Sequence, residues 1–131
     1  MPRISMTSVF VDDQDRALAF YTDILGFALG VDIPLGEFRW LTVVSPEDSA
    51  GPQLLLEPDQ HPAARAYCAA LRADGIPAAV FTVDDIDRVH EDLLTKGAEV
   101  VQAPAEMGPV WTMVVDDSCG NLIQLATTPE M

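Results

Sequence analysis

Apolar and polar residues alternate in two ways along this chain, and the two patterns take turns. A short run of β type, Ile4 to Val11, ends in the pair Asp12-Asp13. Ala17, Phe20, Tyr21 and Ile24 then fall at i, i+3, i+4 and i+7, which predicts a helix with one apolar stripe. Gly26 stands where a left-handed residue ends such a helix. Three β-rich runs follow, over 27–32, 38–45 and 53–57. The order then recurs. Ala78 to Val83 reads as a strand, Ile86, Val89 and Leu93 as a sparser helical stripe, Gly97 as its stop, and 98–103, 109–116 and 121–126 as three more strands. In both copies the aspartates can cap the helix that follows, accepting from its free N–H groups and suiting the positive end of its dipole.

The recurrence extends to the residues. Val11-Asp12-Asp13-Gln14-Asp15-Arg16 returns as Val83-Asp84-Asp85-Ile86-Asp87-Arg88, 72 positions on. Phe38-Arg39-Trp40-Leu41-Thr42-Val43-Val44 is echoed by Pro109-Val110-Trp111-Thr112-Met113-Val114-Val115 at an offset of 71, which Gly26 and Gly97 share. Gln53-Leu54-Leu55-Leu56-Glu57 is matched with Gly120-Asn121-Leu122-Ile123-Gln124. Four echoes in one order imply an internal duplication. The fold class is α+β, two tandem βαβββ modules, with module one over 4–58, a linker helix within 59–76 and module two over 77–127. The linker is alanine-rich from Pro62 to Ala73, with a proline near the first turn. Residues 127–131 are expected to fray. A four-stranded sheet with its helix on one face leaves the other face unburied, so two such sheets are expected to curl around a cleft with helices outside, and such a crevice suits a small molecule.

With 131 residues, 49% apolar and 21% charged, the composition is that of an ordinary globular domain. The formal net charge of −14 excludes a phosphate-binding basic surface and argues against nucleic acid and anionic membranes. It supports solubility, and steering of a cationic ligand is the alternative use. No apolar run approaches the roughly 20 residues needed to span a bilayer, and the N-terminus lacks signal-peptide features. A cytoplasmic location is the expectation. Cys68 and Cys119 form neither a disulfide framework nor a metal-binding spacing.

Together, Val11-Asp12-Asp13, Phe20-Tyr21-Thr22-Asp23-Ile24-Leu25-Gly26-Phe27 and the closing Asp116-Asp117-Ser118-Cys119-Gly120-Asn121-Leu122-Ile123-Gln124-Leu125 resemble the vicinal oxygen chelate superfamily. That superfamily includes glyoxalase I, extradiol dioxygenases and bleomycin-resistance proteins. The resemblance implies the duplicated fold and a homodimer; it leaves the function open among isomerisation, ring cleavage, epoxide opening and plain drug binding. Its enzymes hold a divalent metal from four strand positions, which map here onto Met6, Glu57, Ala78 and Gln124. Only Glu57 is a customary ligand, so no metal and no other cofactor is expected, although a divalent ion is the rival. His61 falls in the linker and His90 on the second helix, both away from the cleft.

Alternation puts Trp40, Thr42 and Val44 on one face of their strand and Leu41 and Val43 on the other. The first set suits a ligand-lining wall. The duplication names Trp111 and Met113 as symmetry mates, and two tryptophans so placed can stack on a planar ligand; the alternative is that both are large core residues. Glu57, facing an apolar cleft, is the candidate catalytic base, as desolvation raises a carboxylate's pKa; contact with a cationic ligand and a structural hydrogen bond are its alternatives. Cys119 has no matched basic partner for a nucleophilic role. Met107 and Met113 flank Gly108-Pro109 as an adaptable rim, and the segment Glu106 to Pro109, with Leu35 to Phe38 in the first copy, forms either cleft lips or ordinary connecting loops. The candidate ligand-binding set is therefore Met6, Trp40, Thr42, Glu57, Trp111, Met113 and Gln124. The leading expectation is a metal-independent binding protein of the bleomycin-resistance type taking a planar or cationic small molecule. The alternatives are a metal-dependent lyase or dioxygenase and a non-catalytic interaction domain.

Overall fold

A computed structural model describes residues 1–128. The described residues form two compact units that divide between Tyr67 and Cys68. In the first unit β1 (Met6–Val11) leads into α1 (Gln14–Ala19), which continues as a π-helical turn over Phe20–Ile24. Then come β2 (Ala28–Leu35), β3 (Phe38–Val44) and β4 (Gln53–Pro58). The linker segment forms α2 (Pro62–Ala73), whose first turn is capped by His61, with Nδ1 accepting from the Ala63 N–H at 3.0 Å. The second unit carries β5 (Ala79–Thr82), α3 (Ile86–Thr95), β6 (Val100–Met107), β7 (Val110–Asp116) and β8 (Leu122–Ala126).

Each unit has one open four-stranded mixed sheet, in the order β1-β4-β3-β2 and β5-β8-β7-β6. The two long-range pairs, β1/β4 and β5/β8, are parallel and the others antiparallel. The fold class read from the chain is the one found. Asp13 and Asp85 cap their helices, accepting from the backbone N–H groups of Arg16 and Arg88 at 3.0 and 3.2 Å. Gly26 and Gly97 adopt φ of +89° and +77°, the left-handed conformation that ends each helix without a Cβ penalty.

The helical stripes pack where the periodicity puts them. Ala17, Phe20 and Tyr21 are buried against Val9, Val11, Leu41, Val43, Leu54 and Leu56. Phe20 and Tyr21 meet edge to face with ring centroids 5.3 Å apart. In the second unit Ile86 and Leu93 are buried, as are Met113, Val115, Ile123 and Leu125. Gln14, at the start of α1, locks helix to sheet: Nε2 donates to the carbonyls of Arg39 (2.8 Å) and Leu56 (2.9 Å), and Oε1 accepts from the Arg39 N–H at 3.0 Å.

Several expectations need correction. β2 and β6 run further than 27–32 and 98–103, so the segments read as loops shrink to two-residue turns, Gly36-Glu37 and Gly108-Pro109, and Glu106 and Met107 belong to a strand. Thr127, expected to fray, is held to β7: its N–H donates to the Trp111 carbonyl at 3.0 Å and its Oγ1 accepts from the Trp111 N–H at 2.9 Å. Residues 129–131 of that tail lie outside the described residues.

The offset between the two copies is not constant. The capping aspartates are 72 apart, the helix-stop glycines 71, and the hairpin glycines Gly36 and Gly108 again 72. The π-helical turn after α1 contains one residue more than the plain α-helical end of α3. β6 gives that residue back, with two register shifts against β7 where β2 has one against β3. Strand β7 therefore matches β3 at 72, not 71.

Candidate functional site

Residues paired across a sheet project to the same face, and neighbours along a strand to opposite faces. Met6 pairs with Gln53, Ser8 with Leu55 and Phe10 with Glu57. Leu55 pairs with Thr42, and Ile33 with Trp40. Met6, Trp40, Thr42 and Glu57 thus share one face of the first sheet, opposite the face covered by α1. That face is accessible in part: Met6 is 37% exposed and Trp40 38%, and Glu57 is half-buried, while Val44 and Leu55 between them are buried.

The structure adds Ile33 and moves Leu35 from an expected lip segment into a strand. Ile33 and Leu35, 54% and 57% exposed, lie on the same face, Ile33 directly beside Trp40. The alternation of Val31, Ile33 and Leu35 carries the signal, which a strand ending at 32 cuts off. Thr42 is fully buried, and its hydroxyl is committed twice. Oγ1 accepts from the Val31 N–H at 2.8 Å and donates to Gln53 Oε1 at 2.7 Å. It secures the bulge in β2 and offers a ligand no exposed surface.

In the second unit Gln124 pairs with Val80 and Val114, on the face away from α3. Trp111 and Met113 alternate with Thr112 and Val114 and so lie on the opposite face, the one that α3 covers. The expectation that Trp111 mirrors Trp40 is overturned by the single residue returned in β6, because a slip of one exchanges the faces of a strand. At the true offset of 72, Trp40 corresponds to Thr112, Arg39 to Trp111 and Leu41 to Met113. Leu41 and Met113 are both fully buried. Thr112 is buried too, and among the described residues its Oγ1 has no hydrogen-bond partner.

The closing strands also shift. Ser8 pairs with Leu55, and Val80, 72 positions on from Ser8, pairs with Gln124. Leu55 is therefore the counterpart of Gln124, and Glu57 that of Ala126; the match made on sequence is two residues out, which keeps the face but not the level. The four family metal positions fare accordingly. Met6 lies level with Gln53 and Glu57 four residues further along the sheet, about 13 Å at 3.3 Å per residue. A thioether and a carboxylate that far apart do not share an ion, Ala78 has no donor, and the Gln124 amide is neutral. The residues present do not fit the family's divalent centre. Among the described residues no three His, Cys, Asp or Glu side chains gather as a metal cluster.

The Asp-Ser-Cys-Gly-Asn segment before β8 is structural. Asp117 is fully buried; Oδ1 accepts from the Cys119 and Asn121 N–H groups at 2.8 and 2.9 Å, and Oδ2 from Asn121 Nδ2 at 2.8 Å. Cys119 is buried within this turn, remote from any nucleophilic task. Beside it, Asp116 accepts from the Arg72 guanidinium of α2 and from the Ser118 N–H at 2.8 Å. Burial pushes the Asp116 carboxyl up, but the hydrogen bonds from Arg72 and Ser118 outweigh it and leave the pKa below the ordinary aspartate value.

Comparison with known proteins agrees with this architecture. The family described as Glyoxalase/Bleomycin resistance protein/Dioxygenase superfamily matches residues 3–125. The uncharacterized protein YurT of Bacillus subtilis (strain 168) is 50% identical over 123 residues, spanning 94% of this chain and 97% of its own. Among solved structures, UcmS2 superposes with a TM-score of 0.80 at 32% identity, covering 96% of this chain and 98% of that one. TnmS3, an antibiotic binding protein from Streptomyces sp. CB03234, superposes at 0.78 with 26% identity, covering 99% and 98%.

Proposed function

Because the chain belongs to the glyoxalase/bleomycin resistance protein/dioxygenase superfamily, we propose that it binds a planar or cationic small molecule without a metal, in the manner of the family's drug-binding members. The observation that carries this is the open face of the first sheet. There Trp40 stands with its indole accessible beside Ile33, with Leu35 next along the strand, Glu57 as its carboxylate, and Met6 as apolar surface further along the sheet. An aromatic platform edged by flexible apolar side chains suits a flat ligand, and one carboxylate suits its positive charge. The likeness to the antibiotic binding protein TnmS3 supports the same reading. So does the donor set at the metal positions, which offers one carboxylate where a catalytic ion needs several ligands. In this reading Glu57 orients the ligand, and the protein acts by holding its ligand. The reading extends to a cytoplasmic homodimer, which sedimentation would register as twice the monomer mass.

Tryptophan fluorescence against a panel of planar aromatic and cationic compounds tests it. We expect saturable quenching by at least one compound, abolished by Trp40→Phe and weakened by Glu57→Gln. Stoichiometric uptake of nickel, zinc, iron or manganese that Glu57→Ala abolishes would overturn the metal-independent part. A flat response to the whole panel would overturn the ligand.

A further inference from the structure

The duplication leaves one place where the two units differ in a way that concerns a ligand. At the end of the first sheet, where β1 enters α1 and the β2–β3 hairpin turns, lies a depression of about 240 Å³ bordered by Asp12, Asp15 and Arg39. It provides its own cation: the Arg39 guanidinium bonds Asp15 and, at 3.0 Å, Asp32. Arg16 adds an ion pair to Asp12 at 3.3 Å. At the same place in the second unit Arg39 is replaced by Trp111. The depression there is about 580 Å³ and is bordered by Asp84, Glu106, Pro109, Trp111 and Thr127.

The replacement exchanges a guanidinium for the aromatic face that attracts one. Glu106 and Trp111 are direct cross-strand partners in β6 and β7, so carboxylate and indole stand side by side. Trp111 is 45% exposed, and its backbone is fixed by the two hydrogen bonds with Thr127. Among the described residues neither Asp84 nor Glu106 has an ion pair. Arg88, which corresponds to Arg16, forms none with Asp84, although Arg16 forms one with Asp12.

We propose that this depression is a second binding site, separate from the open face of the first sheet, and that it takes an organic cation of quaternary ammonium or guanidinium type. The cation lies on the Trp111 indole with Asp84 and Glu106 as its counter-charges, occupying the place that Arg39 fills from within the first unit. Pro109 and Thr127 border it.

The test uses the two indole N–H signals in a ¹H–¹⁵N spectrum of the intact protein, assigned with Trp40→Phe and Trp111→Phe. The probe is choline, and the control is its neutral isostere 3,3-dimethylbutan-1-ol. We expect choline to move the Trp111 signal saturably, with a Kd in the millimolar range, while the alcohol binds about fivefold more weakly or not at all. Asp84→Asn and Glu106→Gln should each weaken choline by about two- to fivefold, and added salt should weaken it further. Arg88→Gln should tighten it. An unmoved Trp111 signal, an equal response to the alcohol, or a response confined to Trp40 would each overturn the proposal. The open-face reading is judged on Trp40, so failure of one site is distinguishable from failure of the other.

Discussion

Thr42 illustrates how much a single side chain decides here. Its hydroxyl closes the bulge of β2, and Gly30 is the residue that lets it do so: a Cβ at Gly30 would meet Thr42 Oγ1 at 2.4 Å and its carbonyl oxygen at 3.3 Å. A short β-branched side chain cannot swing away as a lysine would. Gly30→Ala should therefore destabilise the protein by about 1–3 kcal/mol in urea unfolding and disturb the face that carries Trp40. Asp117 is the second such residue. Three donors converge on its buried carboxylate, and Asp117→Ala would strand all of them. We expect a loss of about 3 kcal/mol or more by chemical denaturation, against about 1 kcal/mol or less for an exposed aspartate such as Asp87. The closing Asp-Gly-Asn signature thus reports a fold requirement rather than a ligand contact.

Among the elements, α1 and its sheet are joined by more than the apolar stripe. The Gln14 amide makes three hydrogen bonds to the backbones of β3 and β4, and Ile86 stands at the matching place in the second unit. Gln14→Ala should cost about 2 kcal/mol, because it leaves buried backbone groups without partners, while Gln14→Glu should restore little since a carboxylate cannot donate to the two carbonyls. The π-helical turn after α1 and the extra shift in β6 act as a matched pair. One adds a residue to the first copy, the other adds it to the second, and between them the faces of both sheets are conserved. Carrying the glycine offset of 71 on into β7 ignores this exchange and puts Trp111 on the wrong face.

At the scale of the molecule, charge sets the response to solvent. A net charge of −14 is self-repulsive, so added salt at neutral pH should raise the melting temperature in a calorimetric scan. The pair Arg72–Asp116 ties α2 to β7 and gives stability a defined acid limb. The folded-state pKa of Asp116 lies below the unfolded value of about 3.9, so its contribution is fully present above that pH and is lost as pH falls through the folded value. The stability difference between the protein and Asp116→Asn should accordingly be constant near neutrality and shrink below about pH 4.

The sequence by itself determined the duplication, the order of strands and helices, the helix caps and stops, and the face on which Trp40 and Glu57 stand. These are local properties: periodicity, capping chemistry and the glycine conformations are all written within a few residues of where they act. Tertiary structure alone decided the register between copies, because the compensating residues lie in a π-helical turn and a β-bulge that composition does not mark. It also decided the levels of Met6 and Glu57 along the sheet, the commitment of the Thr42 hydroxyl and the ion pair between Arg72 and Asp116. Each of these depends on which residues face one another across strands distant in sequence, and a shift of one position exchanges the buried face of a strand for the open one.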